Sequence, residues 1–107
     1  MYTCPSVFVK LQDGTGISVP YYPAFEMHGC RFIVHHAIND GEIDERQWVV
    51  AEITSTVRVT VPSLTRKAAI AEAQALLQKR GEEDTRYSVR GAQERYLKWN
   101  EDRLTGE

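Results

Sequence analysis

The chain of 107 residues has no apolar run approaching the roughly 20 residues that a membrane span requires, so a membrane role is not expected. It has two cysteines, Cys4 and Cys30, too few for a disulfide framework. It has little excess charge: 13 bases against 15 acids leave −2, and bulk attraction to nucleic acid or anionic lipid is not indicated. No basic segment followed by an apolar stretch opens the chain, so no secretory signal is visible. A cytoplasmic location with reduced thiols is the expectation. Repeats and low-complexity stretches are absent, and the length corresponds to a single small domain over residues 1–107.

What is present is a change of hydrophobic period between Trp48 and Gly81. Val49, Ala51, Ile53 and then Val57, Val59, Val61 alternate with polar residues, the rhythm of half-buried strands. After Pro62-Ser63-Leu64-Thr65, the residues Ile70, Ala73, Leu76 and Leu77 fall on one side of a helix. Thr65 suits the N-cap, Lys79 and Arg80 suit the negative end, and Gly81 suits the left-handed residue beyond it, which predicts a helix over 66–80.

Upstream, residues 6–12 read as a strand, Asp13-Gly14-Thr15-Gly16 as a turn, and Ile17, Val19 and Tyr21 as a returning strand. Pro20 and Pro23 lack amide donors and predict that this strand lies at an edge or ends early, followed by a connector over 22–29. Residues 31–38 read as a strand, residues 39–46 as a mobile acidic loop, and residues 47–54 and 57–61 as two further strands. Glu82-Glu83-Asp84 reads as a solvated break before a second helix from about 88 to 103, with Val89, Ala92, Tyr96 and Trp99 on one stripe and a frayed end. The expected fold class is therefore α+β: an antiparallel sheet of about five strands, one helix packed on a face, and a second, C-terminal helix.

Catalytic and metal chemistry find little support in the residues. His28, Cys30, His35, His36 and Cys4 are the soft-ligand set, yet no CxxC or HxxxH spacing occurs, and adjacent His35 and His36 on a strand must point apart. Cys30 beside His28 or His35 lacks an orienting third group for nucleophilic catalysis. Neither enzyme activity, nor a metal, nor a cofactor is expected.

Binding is the better expectation. Asp40, Glu42, Asp44 and Glu45 place four acids within six residues and would present negative charge to a basic protein surface. Tyr21 and Tyr22, beside two prolines, form a candidate aromatic contact. The stripe bearing Tyr96 and Trp99 suits a homodimer through the C-terminal helix. Cations at Arg66 and Lys67 oppose the helix macrodipole, and with the free amides of the first turn they form a seat for phosphate.

Thr65-Arg66-Lys67-Ala68-Ala69-Ile70-Ala71-Glu72-Ala73 after strands resembles the last helix of double-stranded-RNA-binding domains, over about a third of the chain. That resemblance implies nucleic-acid binding with Arg66 and Lys67 on phosphates; Arg86 and Arg90 are the further basic residues such a module would use. The preceding helix and the Gly-Pro-x-His loop of that family are not found here. The order of strands followed by Leu64-Thr65-Arg66-Lys67, Ala69-Ile70 and Ala73 also resembles short accessory proteins of bacteriophages and mobile elements. This second likeness implies a small partner-dependent protein, including one that inhibits host machinery.

Overall fold

The computed structural model describes residues 4–105 as an α+β arrangement. Its elements are β1 (Ser6–Lys10), β2 (Gly16–Met27), β3 (Cys30–Asn39), β4 (Glu42–Glu52), α1 (Arg66–Arg80) and α2 (Glu82–Thr105). The four strands are antiparallel neighbours in the order β1-β2-β3-β4. Among the described residues no helix is long and apolar enough to cross a membrane.

Two hairpins close on two-residue turns. His28 and Gly29 have φ of 57° and 76°, and Asp40 and Gly41 have φ of 53° and 77°, so both central residues of each turn are left-handed. This geometry matches the twist of the flanking strands. The expected connector over 22–29 is thus strand as far as Met27. The prolines do not end β2 because it changes partner along its length: Gly16–Pro20 pair with β1, and Tyr21–Met27 pair with β3. A register shift between Pro23, opposite Ile33, and Phe25, opposite Phe32, leaves Ala24 without a partner on β3.

The expected acidic loop over 39–46 is likewise corrected. Asp40 belongs to the tight turn, and Glu42, Asp44 and Glu45 belong to β4. A larger register shift opposite His36 and Ala37 accommodates Glu45, Arg46 and Gln47.

The expected fifth strand over 57–61 does not form. That segment returns along β4 through isolated bridges, Ala51 to Arg58 and Trp48 to Ser63. Thr56 takes a left-handed φ of 57° before it, and Pro62 withholds a donor after it, so a continuous ladder cannot develop. Val57 and Val61 are exposed, and Val59 alone of the three packs on the core.

Helix α1 matches its expected range. The Thr65 hydroxyl accepts the Ala68 amide, and the Gly81 amide closes the last turn on the Leu77 carbonyl at 3.0 Å. Ala69, Ala73 and Leu77 are its buried residues and meet Phe32, Val34 and Val50 of the sheet. Two alanines allow close approach of helix and sheet. Leu76 is exposed, against expectation, because it lies about 60° from the centre of that stripe at roughly 100° per residue.

Helix α2 begins at Glu82, so the expected break is its first turn, where Glu82, Glu83 and Asp84 complement the dipole. Its described part runs to Thr105; the fraying expected of the extreme end falls on residues outside the described range. Val89 and Ala92 are buried, Tyr96 donates to the Phe8 carbonyl, and the Trp99 indole donates to the Gly14 carbonyl at 2.8 Å. Phe8 stacks on Trp99 with ring centroids 5.7 Å apart.

Candidate functional site

The sheet carries α1 over the Phe32–Val34–Val50 side and leaves the end of that side beyond the helix N-terminus open. Three elements converge there. Tyr22 comes from β2, His36 from β3 and Trp48 from β4, all with the same strand parity as Val34 and Val50. The Arg66 guanidinium lies 4.7 Å from the Tyr22 ring centroid and 5.3 Å from that of Trp48. The Tyr22 and Trp48 rings are 6.1 Å apart and tilted by 58°, and the His36 ring is 3.8 Å from Trp48.

Local bonding fixes this group. Trp48 and Ser63 exchange both backbone hydrogen bonds, at 2.7 and 2.9 Å, which brings the chain to the start of α1. The Ser63 hydroxyl donates to Glu72 at 2.9 Å, and Thr65 caps the helix. Arg66 therefore leaves the first helical position directly above the rings. Its charge opposes the helix dipole by a few tenths of a kcal/mol or more, and the cation–π contacts offset this by about 0.5–1 kcal/mol at an exposed site. Leu64, 77% exposed, and Val61, 68% exposed, flank the Ser63 anchor in sequence.

The residues singled out from sequence are distributed unevenly about this surface. Tyr22 and Arg66 are brought together, although they were read as parts of different interfaces. Tyr21 pairs with His35 and points to the opposite side of β2, so Tyr21 and Tyr22 do not form one surface. Lys67 is exposed one residue along α1. Arg86 lies near Gly29 and pairs with Glu82 at 3.6 Å, beyond the far end of α1, and Arg90 follows one turn later. The four cations are not one surface.

Asp40, Glu42 and Glu45 are exposed along the β3–β4 hairpin. Asp44 is used internally: its carboxylate accepts from the amide and guanidinium of Arg46 and from the Asn39 side chain. The Arg46 hydrogen bonds hold its pKa below the ordinary carboxylate value. Tyr96 and Trp99 are occupied by β1 and the β1–β2 turn, so they are not free to dock a second copy; the exposed apolar residues of α2 are Tyr87, Leu97 and Leu104.

The soft-ligand set disperses. His28 donates from Nε2 to the Leu77 carbonyl at 2.9 Å and caps the C-terminal end of α1. His35 and His36 point to opposite sides of β3. Cys4 donates to the Tyr21 carbonyl, and burial pushes the Cys30 thiol up, with the Glu52 charge adding to the shift and Arg86 opposing it. Among the described residues no group of three or more His, Cys, Asp or Glu is placed to hold a metal ion.

Sequence reasoning passed over Trp48 and His36 as members of the site. The signal available was the exposed leucine and arginine flanking a helix cap, which gives no hint of the strands they meet. No family model, curated protein or solved structure matches the chain.

Proposed function

We propose that this is a non-catalytic binding protein of the cytoplasm that acts by contact with another protein through the surface of Tyr22, Trp48 and Arg66. The observation that carries the reading is the Arg66 guanidinium held over two aromatic rings at an exposed position. Tyrosine, tryptophan and arginine are the residue types enriched at binding hot spots. Rings already fixed by β2 and β4 lose little entropy on association, which leaves more of their contact energy as affinity. Leu64 and Val61, exposed on either side of the Ser63 anchor in sequence, add apolar surface in the same segment. Asp40, Glu42 and Glu45 on the hairpin select among partners by charge. The likeness to short phage and mobile-element proteins supports a regulatory role in that setting, including inhibition of host machinery. Affinity capture from the native host tests this: a protein retained by the wild type should be lost with Tyr22→Ala, and equal retention counts against the reading.

A second reading rests on Arg66 and Lys67 at the start of α1. The two cations would meet phosphates, and Arg66 would leave the rings of Tyr22 and Trp48 so that bases could stack on them. It predicts a gel shift with single-stranded or double-stranded nucleic acid that weakens steeply with salt. No shift at low salt removes it.

A further inference from the structure

The Arg66 guanidinium lies over the Tyr22 and Trp48 rings, and among the described residues its N–H groups meet no carboxylate. A guanidinium held on aromatic rings keeps its fork of donors in one orientation. Little rotamer freedom is then lost when a planar acceptor arrives. The acceptors that match such a fork with two parallel hydrogen bonds are carboxylate and phosphate.

The surrounding charge is of the same sign. Between Val59 and Gly81 the chain carries Arg66, Lys67, Lys79 and Arg80 against one acid, Glu72, a net +3; the rest therefore carries −5 of the overall −2. All four cations are exposed, and none is in an ion pair among the described residues. Glu72 accepts from the Ser63 hydroxyl. Apolar surface is mixed with these charges: Val61, Leu64 and Leu76 are exposed, and Leu76 borders a cleft of about 360 Å³ with Val59, Lys79 and Arg80. Asp84 of α2 also reaches that cleft. On the other side, Asp40, Glu42 and Glu45 lie on the β3–β4 hairpin beyond the His36–Trp48 pair. An acidic ligand held at Arg66 is repelled from the hairpin and drawn along α1, where Arg80 lies about 21 Å away at 1.5 Å per residue.

Given contact with another protein through the Tyr22–Trp48–Arg66 surface, on which this rests, we propose that the partner's contact segment is an acidic peptide with interspersed apolar side chains. One carboxylate meets the Arg66 fork, an apolar side chain covers Leu64, and an acid further along meets Lys79 and Arg80. A carboxylate engages Arg66 with its stacking intact, whereas a nucleic-acid base reaches the rings only after the guanidinium has left them. Exposed Val61, Leu64 and Leu76 also suit a polypeptide better than a phosphate backbone.

The test is titration of ¹⁵N-labelled protein with capped peptides of three repeats each: Asp-Leu-Glu, its neutral counterpart Asn-Leu-Gln, and its leucine-free counterpart Asp-Ser-Glu. Extended, each spans about 30 Å, enough to reach from Arg66 to Arg80. The first should give saturable amide shifts at Trp48, Leu64 and Lys67, with affinity about tenfold weaker for each counterpart. Arg66→Gln should lose about tenfold for the Asp-Leu-Glu peptide. Lys98→Gln, which removes the same charge at an exposed position on α2, should bind as the wild type does. Absence of saturable shifts at millimolar Asp-Leu-Glu peptide, equal effects of the two variants, or undiminished binding of the Asp-Ser-Glu peptide would overturn the proposal. Equal shifts at the same amides with the Asn-Leu-Gln peptide would overturn the acidic assignment and leave the protein-contact reading standing. Shifts there with oligothymidylate and with no peptide would overturn both. A dimer in sedimentation that Arg66→Gln dissociates would put the hairpin acids of a second copy on Arg66, and overturn it as well.

Discussion

His35 donates from Nδ1 to the carbonyl oxygen of its neighbour His36 at 2.7 Å, while the two rings lie on opposite sides of β3. Burial depresses the His35 pKa below its ordinary value of 6.5; the bond to the His36 carbonyl pulls it up, and the His36 ring pushes it down. The unfolded chain takes up this proton near pH 6.5, and the folded chain resists it. Above that pH the group leaves stability unchanged, and as the pH falls below it the unfolded state is favoured. The gap in Tm between wild type and His35→Gln should therefore narrow from pH 7.5 to pH 5.5. A gap independent of pH would show that His35 is not buried neutral.

Gly16 is needed for space rather than for backbone freedom. A Cβ there would enter the Phe8 ring, which stacks in turn on Trp99 and lies 4.4 Å from the Arg103 guanidinium. Gly16→Ala is expected to cost about 1–3 kcal/mol in chemical denaturation. In a Phe8→Leu background the same change should cost much less, because the ring that it strikes is gone. Equal costs in both backgrounds would contradict this account.

Glu52 ends β4 at 2% exposure, with its carboxylate accepting from the amides and hydroxyls of Thr54 and Ser55. Removing the acceptor leaves the amide and hydroxyl of buried Ser55 unpaired. Glu52→Ala should cost about 3 kcal/mol, whereas exposed Glu45→Ala should stay within about 0.5 kcal/mol. Similar losses for the two variants would mean that the Thr54–Ser55 turn is not held by this carboxylate.

Helix α1 was legible because its signals are local: a threonine hydroxyl three residues before the Ala68 amide that it accepts, cations in the last turn, a glycine after it. The β3–β4 turn was also written locally, in Asp40-Gly41, but the surrounding acids drew the reading toward a loop. His28-Gly29 was harder, since the strong two-residue hairpin signatures are Asn-Gly, Asp-Gly and Gly-Gly rather than His-Gly. Val57, Val59 and Val61 alternate as a strand would, yet strand formation depends on a partner ladder that Thr56 and Pro62 interrupt. Tyr22 and Arg66 each stood out alone. Their meeting depends on how α1 crosses the sheet, which no spacing within either segment records.

The central claim is contact through the Tyr22–Trp48–Arg66 surface, and its most direct measurement is the Kd of a captured partner for wild type against Arg66→Glu. A glutamate in the first turn suits the helix dipole, so the variant should remain folded with stability changed by under about 1 kcal/mol. Binding should nevertheless weaken by about 2 kcal/mol, some thirtyfold. An unchanged Kd in the folded variant would contradict the account.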